Sequence, residues 1–499
     1  MNSGTLFRIA LVATLAIKLV LAYVLPMSGD EAYFVIWGQH PDYGYYDHPP
    51  MVGWILHLLL YLGSSEMLLR LPAILLTTLI GYGIYRLLKP HDEDKAALIA
   101  TLFLVAPVNI VNVLIATDTP LILFVFLSAA ALYRALQQDS RFWYALSGVA
   151  LGLAFLSKYF AVLLLLAYLA YFAYTEKSRS RTYGLLLLLL SALPFALLNL
   201  YWNYTHCWDN ILFNLYNRNE GEEFSLGKVG TFFASQLYLM APLGYYLYRH
   251  RRELRQGLRQ NSFRLFAFAF MIPMAAFALL SVKKVIGLHW VLAFYPFLYL
   301  LLYVYLSREE LYRSLNFMAW FSMLHLAAIT VIAFMPMETW KEHRLYDGIV
   351  FMFRNDEVVE QIRPYEQQKF LLAADGYSPA AIISYHYGKN FFVFGEGSHY
   401  ARQDDMITDF REFRGRNILI LKKSAPDLMQ YIPYFRSVET RQFDVHGATF
   451  YVVLGYGFDY ESYKEQVLKV VKEKYYRIPE FLPHAPCYFC ERYFPEEGA

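Results

Sequence analysis

The sequence predicts an all-α polytopic membrane bundle followed by a small α/β domain, and three observations carry that expectation. Of 499 residues, 57% are hydrophobic and only 17% charged, whereas soluble domains carry roughly 25% charged residues. Long apolar runs such as LLLLLLSALPFALLNLY recur over the first two thirds of the chain and match the span of a bilayer. Past about residue 340 the apolar runs shorten to strand length and alternate with helix-like pieces, the pattern of an α/β fold.

Taken in order, the stretch from Leu6 to Leu25 is interrupted only by Arg8, Lys18 and a tyrosine. It has the length of a span, and no small-x-small cleavage site precedes Asp30, so it reads as an uncleaved first helix. Further spans are expected near 67–88, 95–115, 119–138, 142–157, 159–175, 182–201, 228–248, 263–281, 289–306 and 314–335, about eleven in all at the ~20-residue length a membrane demands. The fifth and sixth are short enough to be half-helices or a re-entrant pair. Basic residues gather in alternate loops: Arg86, Lys89 and Lys95; Arg134 and Arg141; Lys177, Arg179 and Arg181; and the run RHRRELRQGLRQ. By the positive-inside rule these loops, with the N-terminus, are cytoplasmic. The loop after the first span, the TDTP turn, the segment around Lys158, residues 202–227, the KKVIGLH loop and the C-terminal domain then share the opposite face. The expected division is 1–337 for the membrane domain and 338–499 for the extracytoplasmic one. Within the latter, KFLLAAD, NFFVFGEG, NILILKK and ATFYVVLGYGF read as strands; SPAAIISYHY, DDMITDFREF and ESYKEQVLKVVKEKYY read as helical.

The chemically interesting residues converge on that face. Asp30 and Glu31 head the loop SGDEAYFVIWGQHPDYGYYDHPP. Carboxylates at a membrane surface are expensive and point to function, although acids also cap helices. Asp118, in NVLIATDTPLILF, stands at a span end before a proline suited to opening a helix; Asp118 or Thr119 as N-cap is the simpler account. Lys158 lies between apolar stretches and could equally snorkel to the interface. Residues 199–224 pack aromatics, expected chiefly in the interfacial belt, around His206, Asp209 and Arg218. Lys283, Lys284, His289 and Tyr295 sit at the mouth of a span, and two lysines on the non-cytoplasmic side ask for an anionic partner.

Acids and cations on one membrane face suit transfer of a sugar from a polyprenyl phosphate. Departure of the lipid phosphate develops negative charge that Lys or Arg would stabilise. The acceptor hydroxyl must lose a proton, and a carboxylate within reach can take it. Asp30 is the first candidate for this base, with Asp118 in support. Tyr33 and His48 are candidates for the acceptor or sugar pocket, where aromatic loops offer apolar faces to a sugar ring. His40, Asp42, Asp47 and His48 match no specific metal spacing, so no metal site is assigned and no obligatory metal or other cofactor is expected. A net charge of +2 gives no reason to expect a nucleic-acid partner. Three cysteines are too few for a disulfide framework; Cys487 and Cys490, in one C-x-x-C, are left as a local disulfide or two free thiols.

The ordered set DEAYF, DHPP, TDTPL, LSKY and HW-x4-YP resembles the integral-membrane glycosyltransferases with the C-type fold. The resemblance is to the bacterial family 39 and 83 enzymes, which include protein O-mannosyltransferase relatives and lipid A aminoarabinose transferases. It spans roughly residues 5–335. It implies a bundle of about 11 to 13 spans with extracytoplasmic catalytic loops, in a bacterial inner membrane. It further implies inverting transfer of a sugar from a polyprenyl-phosphate donor to a lipid, glycan or protein acceptor. Asp30, followed by Glu31, matches the first-loop acid assigned to catalysis in that family, and Asp118 the second acidic position. Lys158, Arg218 and Tyr295 fall where members contact the donor phosphate; Lys284 and His289 are grouped with them. Two other classes compete. A transporter or flippase predicts midplane charges and internal repeats, neither of which stands out, and a noncatalytic receptor leaves the DE and TDTP segments without a purpose.

Overall fold

The computed structural model describes residues 2–176, 178–219, 221–254 and 263–496. Lys177 and the 255–260 part of the basic run RHRRELRQGLRQ lie outside them. The chain forms two compact units, and they do not meet at one boundary. The first comprises Met1–Leu25, Leu62–Leu198 and Gly221–Ala333; the second comprises Pro26–Tyr61, Asn199–Glu220 and Phe334–Ala499. The division expected at 337/338 lies close to the last of these breaks, but the stretch after the first helix and the 199–220 stretch join the C-terminal residues.

In the first unit every expected apolar segment is helical, and among the described residues six helices are long and apolar enough to cross a membrane by length and composition: Ser3–Val24, Glu66–Leu88, Asp118–Gln138, Arg179–Thr205, Leu288–Tyr305 and Arg308–Phe334. Arg141–Phe155, Ala161–Tyr174 and Arg264–Leu280 are shorter. Starts are set by local chemistry: the Asn2 side chain accepts from Thr5 N–H at 2.7 Å and Asp92 from Lys95 N–H at 3.0 Å, each satisfying a helix-end donor. Two expected spans are broken. The one at 95–115 divides into Glu93–Leu104 and Pro107–Val111, and the one at 228–248 into Leu226–Met240 and Leu243–Arg249. In each case a proline follows the break and pushes the preceding residue, Ala106 or Ala241, into an extended conformation.

The core of this unit is apolar, with Ile80, Leu104, Leu121, Phe294 and Leu298 fully enclosed. Arg70 is also fully enclosed, and its guanidinium donates to the carbonyls of Ala22 and Leu25 at 2.7 Å each. Helix Arg308–Phe334 instead exposes Phe317, Trp320, Leu324, Val331 and Phe334, and Arg179–Thr205 exposes Leu186, Leu190, Leu193 and Leu197. In water such surfaces would cost about 25 cal/mol per Å²; against lipid tails they cost nothing.

The second unit contains a five-stranded sheet, β1 (Leu371–Ala374), β2 (Phe392–Val393), β3 (Ile418–Lys422), β4 (Phe435–Val445) and β5 (Ala448–Phe458), in the order β2-β1-β3-β5-β4. β1 runs parallel to both β2 and β3, with Ala373 opposite Phe392 and Ile420; β5 is antiparallel to β3 and β4. The β4–β5 hairpin turns at His446 and Gly447, both at positive φ, as a two-residue turn matched to strand twist requires. Helix Tyr377–Tyr387 joins β1 to β2 and ends at Gly388 in the left-handed region. DDMITDFREF forms only the short turns Asp404–Ile407 and Phe410–Phe413.

The first-loop stretch is folded too, as helices Gly29–Gln39 and Met51–Leu60. Trp202 and Trp208 are buried within this unit, whereas Tyr201, Tyr204 and Phe224 of the same aromatic stretch, 199–224, are exposed. Gly44 is required where it is, because an added Cβ would lie 2.4 Å from the Trp202 ring. Cys207, Cys487 and Cys490 are free and buried, and the Cys490 N–H donates to Cys487 Sγ at 3.3 Å.

Candidate active site

Asp30 and Glu31 share the first turn of helix Gly29–Gln39 but differ in surroundings. Ser28 is the N-cap: its hydroxyl accepts from Glu31 N–H at 3.3 Å, while Glu31 Oε2 accepts from Ser28 N–H at 3.0 Å. This is a capping box, and it ties the buried Glu31 to the helix start. Asp30 is exposed, and its Oδ1 accepts a hydrogen bond from the Tyr377 hydroxyl at 3.1 Å. Burial, then the nearby Asp30 charge, pushes the Tyr377 phenol upward, so it remains a proton donor at neutral pH. A carboxylate in a first helical turn is also favoured by the helix dipole.

Tyr377 reaches Asp30 because its helix packs directly on Gly29–Gln39. A Cβ on Gly29 would stand 1.9 Å from Ser378 Oγ, so only glycine permits this approach. Tyr33, about one turn further along on the buried face, lies edge-on to Tyr377 at 5.7 Å, and its oxygen accepts from Gln403 N–H at 3.2 Å. Burial first, and the Asp47 charge second, holds its phenol well above the ordinary range.

His48 lies beside the Trp37 ring at 5.8 Å, and its Nδ1 is 3.6 Å from Asp47 Oδ1. Both atoms are buried without a hydrogen-bond partner among the described residues. Buried polar atoms normally have partners, so this pair is suited to receiving a substrate hydroxyl. No group of three or more His, Cys, Asp or Glu side chains among the described residues is arranged to hold a metal.

In the first unit Lys158 Nζ contacts both carboxylate oxygens of Asp118, at 2.9 and 2.8 Å. Both side chains are buried, so Lys158 does not snorkel. The N-cap of helix Asp118–Gln138 is Thr117, without a side-chain cap bond, rather than Asp118 or Thr119. Tyr295, buried at the start of helix Tyr295–Tyr305, donates to Gln236 Oε1 at 2.9 Å. Lys284 is buried on the loop before it, and His289 is exposed on the short helix Leu288–Val291. Lys228 joins this loop, donating to the Lys283 carbonyl at 2.6 Å and pairing with Glu222 at 2.5 Å.

In the second unit Arg218 lies on the short turn Asn217–Asn219. Asp209 is fully buried, accepting from the Tyr488 hydroxyl at 2.8 Å, and burial raises its carboxyl well above the usual carboxylate range. Sequence reasoning brought Asp30, Tyr33 and His48 into one loop but missed Tyr377 and Asp47's orphaned oxygen. Tyr377 follows directly after β1, and the carboxyl end of a parallel strand is where α/β folds place ligand contacts; that was the one available signal.

Residues 47–202 match the family model described as dolichyl-phosphate-mannose-protein mannosyltransferase. A lipid A galacturonosyltransferase, RgtD, of Rhizobium johnstonii is 27% identical over 183 residues, which is 36% of this chain and 38% of that protein's length. The crystal structure of ArnT from Cupriavidus metallidurans bound to undecaprenyl phosphate superposes with a TM-score of 0.63 at 16% identity, covering 89% of this chain and 97% of that one. The apo structure of the same protein gives 0.62. The likeness to ArnT is one of fold, reached by nearly the whole of both chains. The chain thus shares the fold of ArnT, and within it residues 47–202 are similar to the mannosyltransferase family model.

Proposed function

We propose that the protein transfers a sugar from a polyprenyl-phosphate donor to a lipid-borne hydroxyl at the extracytoplasmic face of a bacterial inner membrane, inverting the anomeric carbon. The observation that carries this reading is Asp30: an exposed carboxylate at a helix start, oriented by a phenol from a separate segment. In the proposed step Asp30 takes the proton of the acceptor hydroxyl as that oxygen bonds to the anomeric carbon. The bond from that carbon to the phosphate oxygen breaks, and its electron pair leaves with the lipid phosphate. Lys158, Lys284, His289, Arg218 and Tyr295 are assigned to the departing phosphate, where fixed positive charge and hydrogen-bond donors lower the barrier. Lys158 arrives paired with Asp118, so Asp118 orients that ammonium. Glu31 secures the helix that presents Asp30, and Tyr33 and His48 border the sugar or acceptor hydroxyls.

The same reading places 11 to 13 spans in the membrane, the N-terminus in the cytoplasm, and residues 338–499 outside the cytoplasm as a small α/β domain. The alternation of basic loops along the sequence supports it. A lipid acceptor is favoured over a protein one because the relative named as a lipid A transferase matches a third of the chain.

The test is an assay with purified protein, a panel of polyprenyl-phosphate sugars and lipid acceptors. Donor-dependent release of free polyprenyl phosphate, reduced at least about a hundredfold in Asp30→Asn, is expected for loss of a general base. Full turnover by that variant would remove Asp30 from the mechanism. Donor binding without consumption would favour a transporter.

A further inference from the structure

The second unit contains a cavity of about 580 Å³ at the carboxyl ends of β1, β2 and β3, a size typical of small-molecule sites. β1 is central among these parallel strands: the chain leaves it for β2 on one side and returns to β3 on the other. Such a switch in direction opens a crevice at the strand ends, where open α/β sheets bind ligands. Asp375 and Tyr377 reach it from the end of β1, the glycine-bearing segment Phe394–Ser398 from the end of β2, and Lys422 from the end of β3.

The lining indicates the chemistry of the occupant. Four carboxyl groups face the cavity, Asp375, Glu396, Asp404 and Asp405, against two cations, Arg402 and Lys422. Each cation is already paired, Lys422 with Asp375 at 3.0 Å and Arg402 with Asp405 at 2.7 Å. Glu396 is likewise paired, with Lys474 at 2.6 Å, so an anionic ligand would meet only cations that are already neutralised. Tyr377, Tyr400, Tyr431 and Tyr434 add flat apolar faces and hydroxyls. Gly395, at φ +99°, leaves open space where any side chain would stand, so a ligand can approach the backbone there. Carboxyl groups that accept from paired hydroxyls, together with aromatic faces for C–H surfaces, suit a neutral or amino-bearing pyranose.

We propose that this cavity is a carbohydrate-binding site that takes a sugar ring of the acceptor. Tyr377 lines the cavity and also donates to Asp30, which sets the bound ring beside the base; this assignment of the occupant rests on the transfer reading above. The occupant's chemistry is the same for a free glycan and for the headgroup of a glycolipid.

The test uses the full-length protein in detergent, with saturation-transfer NMR and calorimetry. The probes are a soluble glucosamine disaccharide, the same disaccharide on a lipid, and inorganic phosphate as the anionic control. Saturable binding of the disaccharide is expected, weakened at least tenfold in Asp375→Asn and in Glu396→Gln, with phosphate failing to compete. Glu396 is partly exposed, so its variant reports on the site even if Asp375→Asn disturbs the fold. Binding of the lipid-linked form alone locates the specificity in the glycolipid and keeps the site. Absence of disaccharide binding in both forms, equal binding by folded variants, or displacement by phosphate overturns the proposal. No donor is present in these measurements. Sugar binding without any donor turnover would sink the transfer reading alone, and donor turnover without sugar binding would sink this one alone.

Discussion

At the scale of single residues, the first-loop acids divide their labour through hydrogen bonds that spacing can partly foretell. Ser28 and Glu31 stand three apart, the S-x-x-E signature of a capping box, so the commitment of Glu31 was legible; that Asp30 beside it would be held by a phenol 347 residues away was not. Tyr377→Phe removes that donor while keeping the ring contact with Tyr33. A hydrogen bond to a charged group contributes about 1.5–3 kcal/mol, so kcat should fall roughly ten- to a hundredfold, with a loss of stability no larger than that same contribution. Steady-state kinetics beside thermal unfolding checks this, and a variant with wild-type kcat would show the bond idle. The Asp118–Lys158 pair makes a different prediction, because both groups are buried. Removing either partner strands the other charge and should cost about 3–5 kcal/mol. Asp118→Asn with Lys158→Met together should destabilise by less than the sum of the two singles, as a double-mutant cycle of melting temperatures would reveal.

Among secondary-structure elements, the contact of helix Gly29–Gln39 with helix Tyr377–Tyr387 governs the geometry of the acid. Gly29→Ala drives a methyl into the Ser378 side chain and within 3.2 Å of its Cα. The helices must then separate, loosening Tyr377 from Asp30. We expect lower stability and lower activity in Gly29→Ala, partly restored by adding Ser378→Gly; failure of that rescue, read by unfolding and turnover, would place the strain elsewhere. The apolar helices were legible because a bilayer imposes a length and composition on each. Their interruptions at Pro107 and Pro242 were signalled by prolines that a hydropathy reading passes over. β4 escaped for the opposite reason. It is an edge strand, paired on one side only, and Arg436, Glu439 and Arg441 are exposed on its two faces, so FRSVETRQFDV reads as a polar loop.

For the whole molecule, the second compact unit carries a pH response. It holds carboxyls whose burial keeps them protonated: Asp404, pushed up to about 7, and Asp209, higher than the usual range. In the unfolded chain an aspartate releases its proton near 4. Between about pH 4 and 7 the folded state therefore binds more protons than the unfolded one, and stability falls as pH rises through that window. Asp404→Asn, which has no proton to lose, should flatten the decline; thermal unfolding of the full-length protein from pH 4.5 to 7.5 measures it, and an unchanged slope would exclude Asp404 as a source. The apolar runs made the helical class readable, because lipid solvation acts on each segment alone. The assembly of the second unit from three separated stretches was hidden, since packing partners distant in sequence leave no periodic trace.

That interleaving also orders events during biosynthesis. The ribosome makes Asp30 early and Tyr377 only 347 residues later, a delay of tens of seconds at roughly 5–20 residues per second. Until β1 and the helix after it emerge, the first loop has neither the surface it packs on nor the phenol that orients its carboxylate. A chain that stops before Tyr377 therefore lacks the hydrogen bond that holds Asp30.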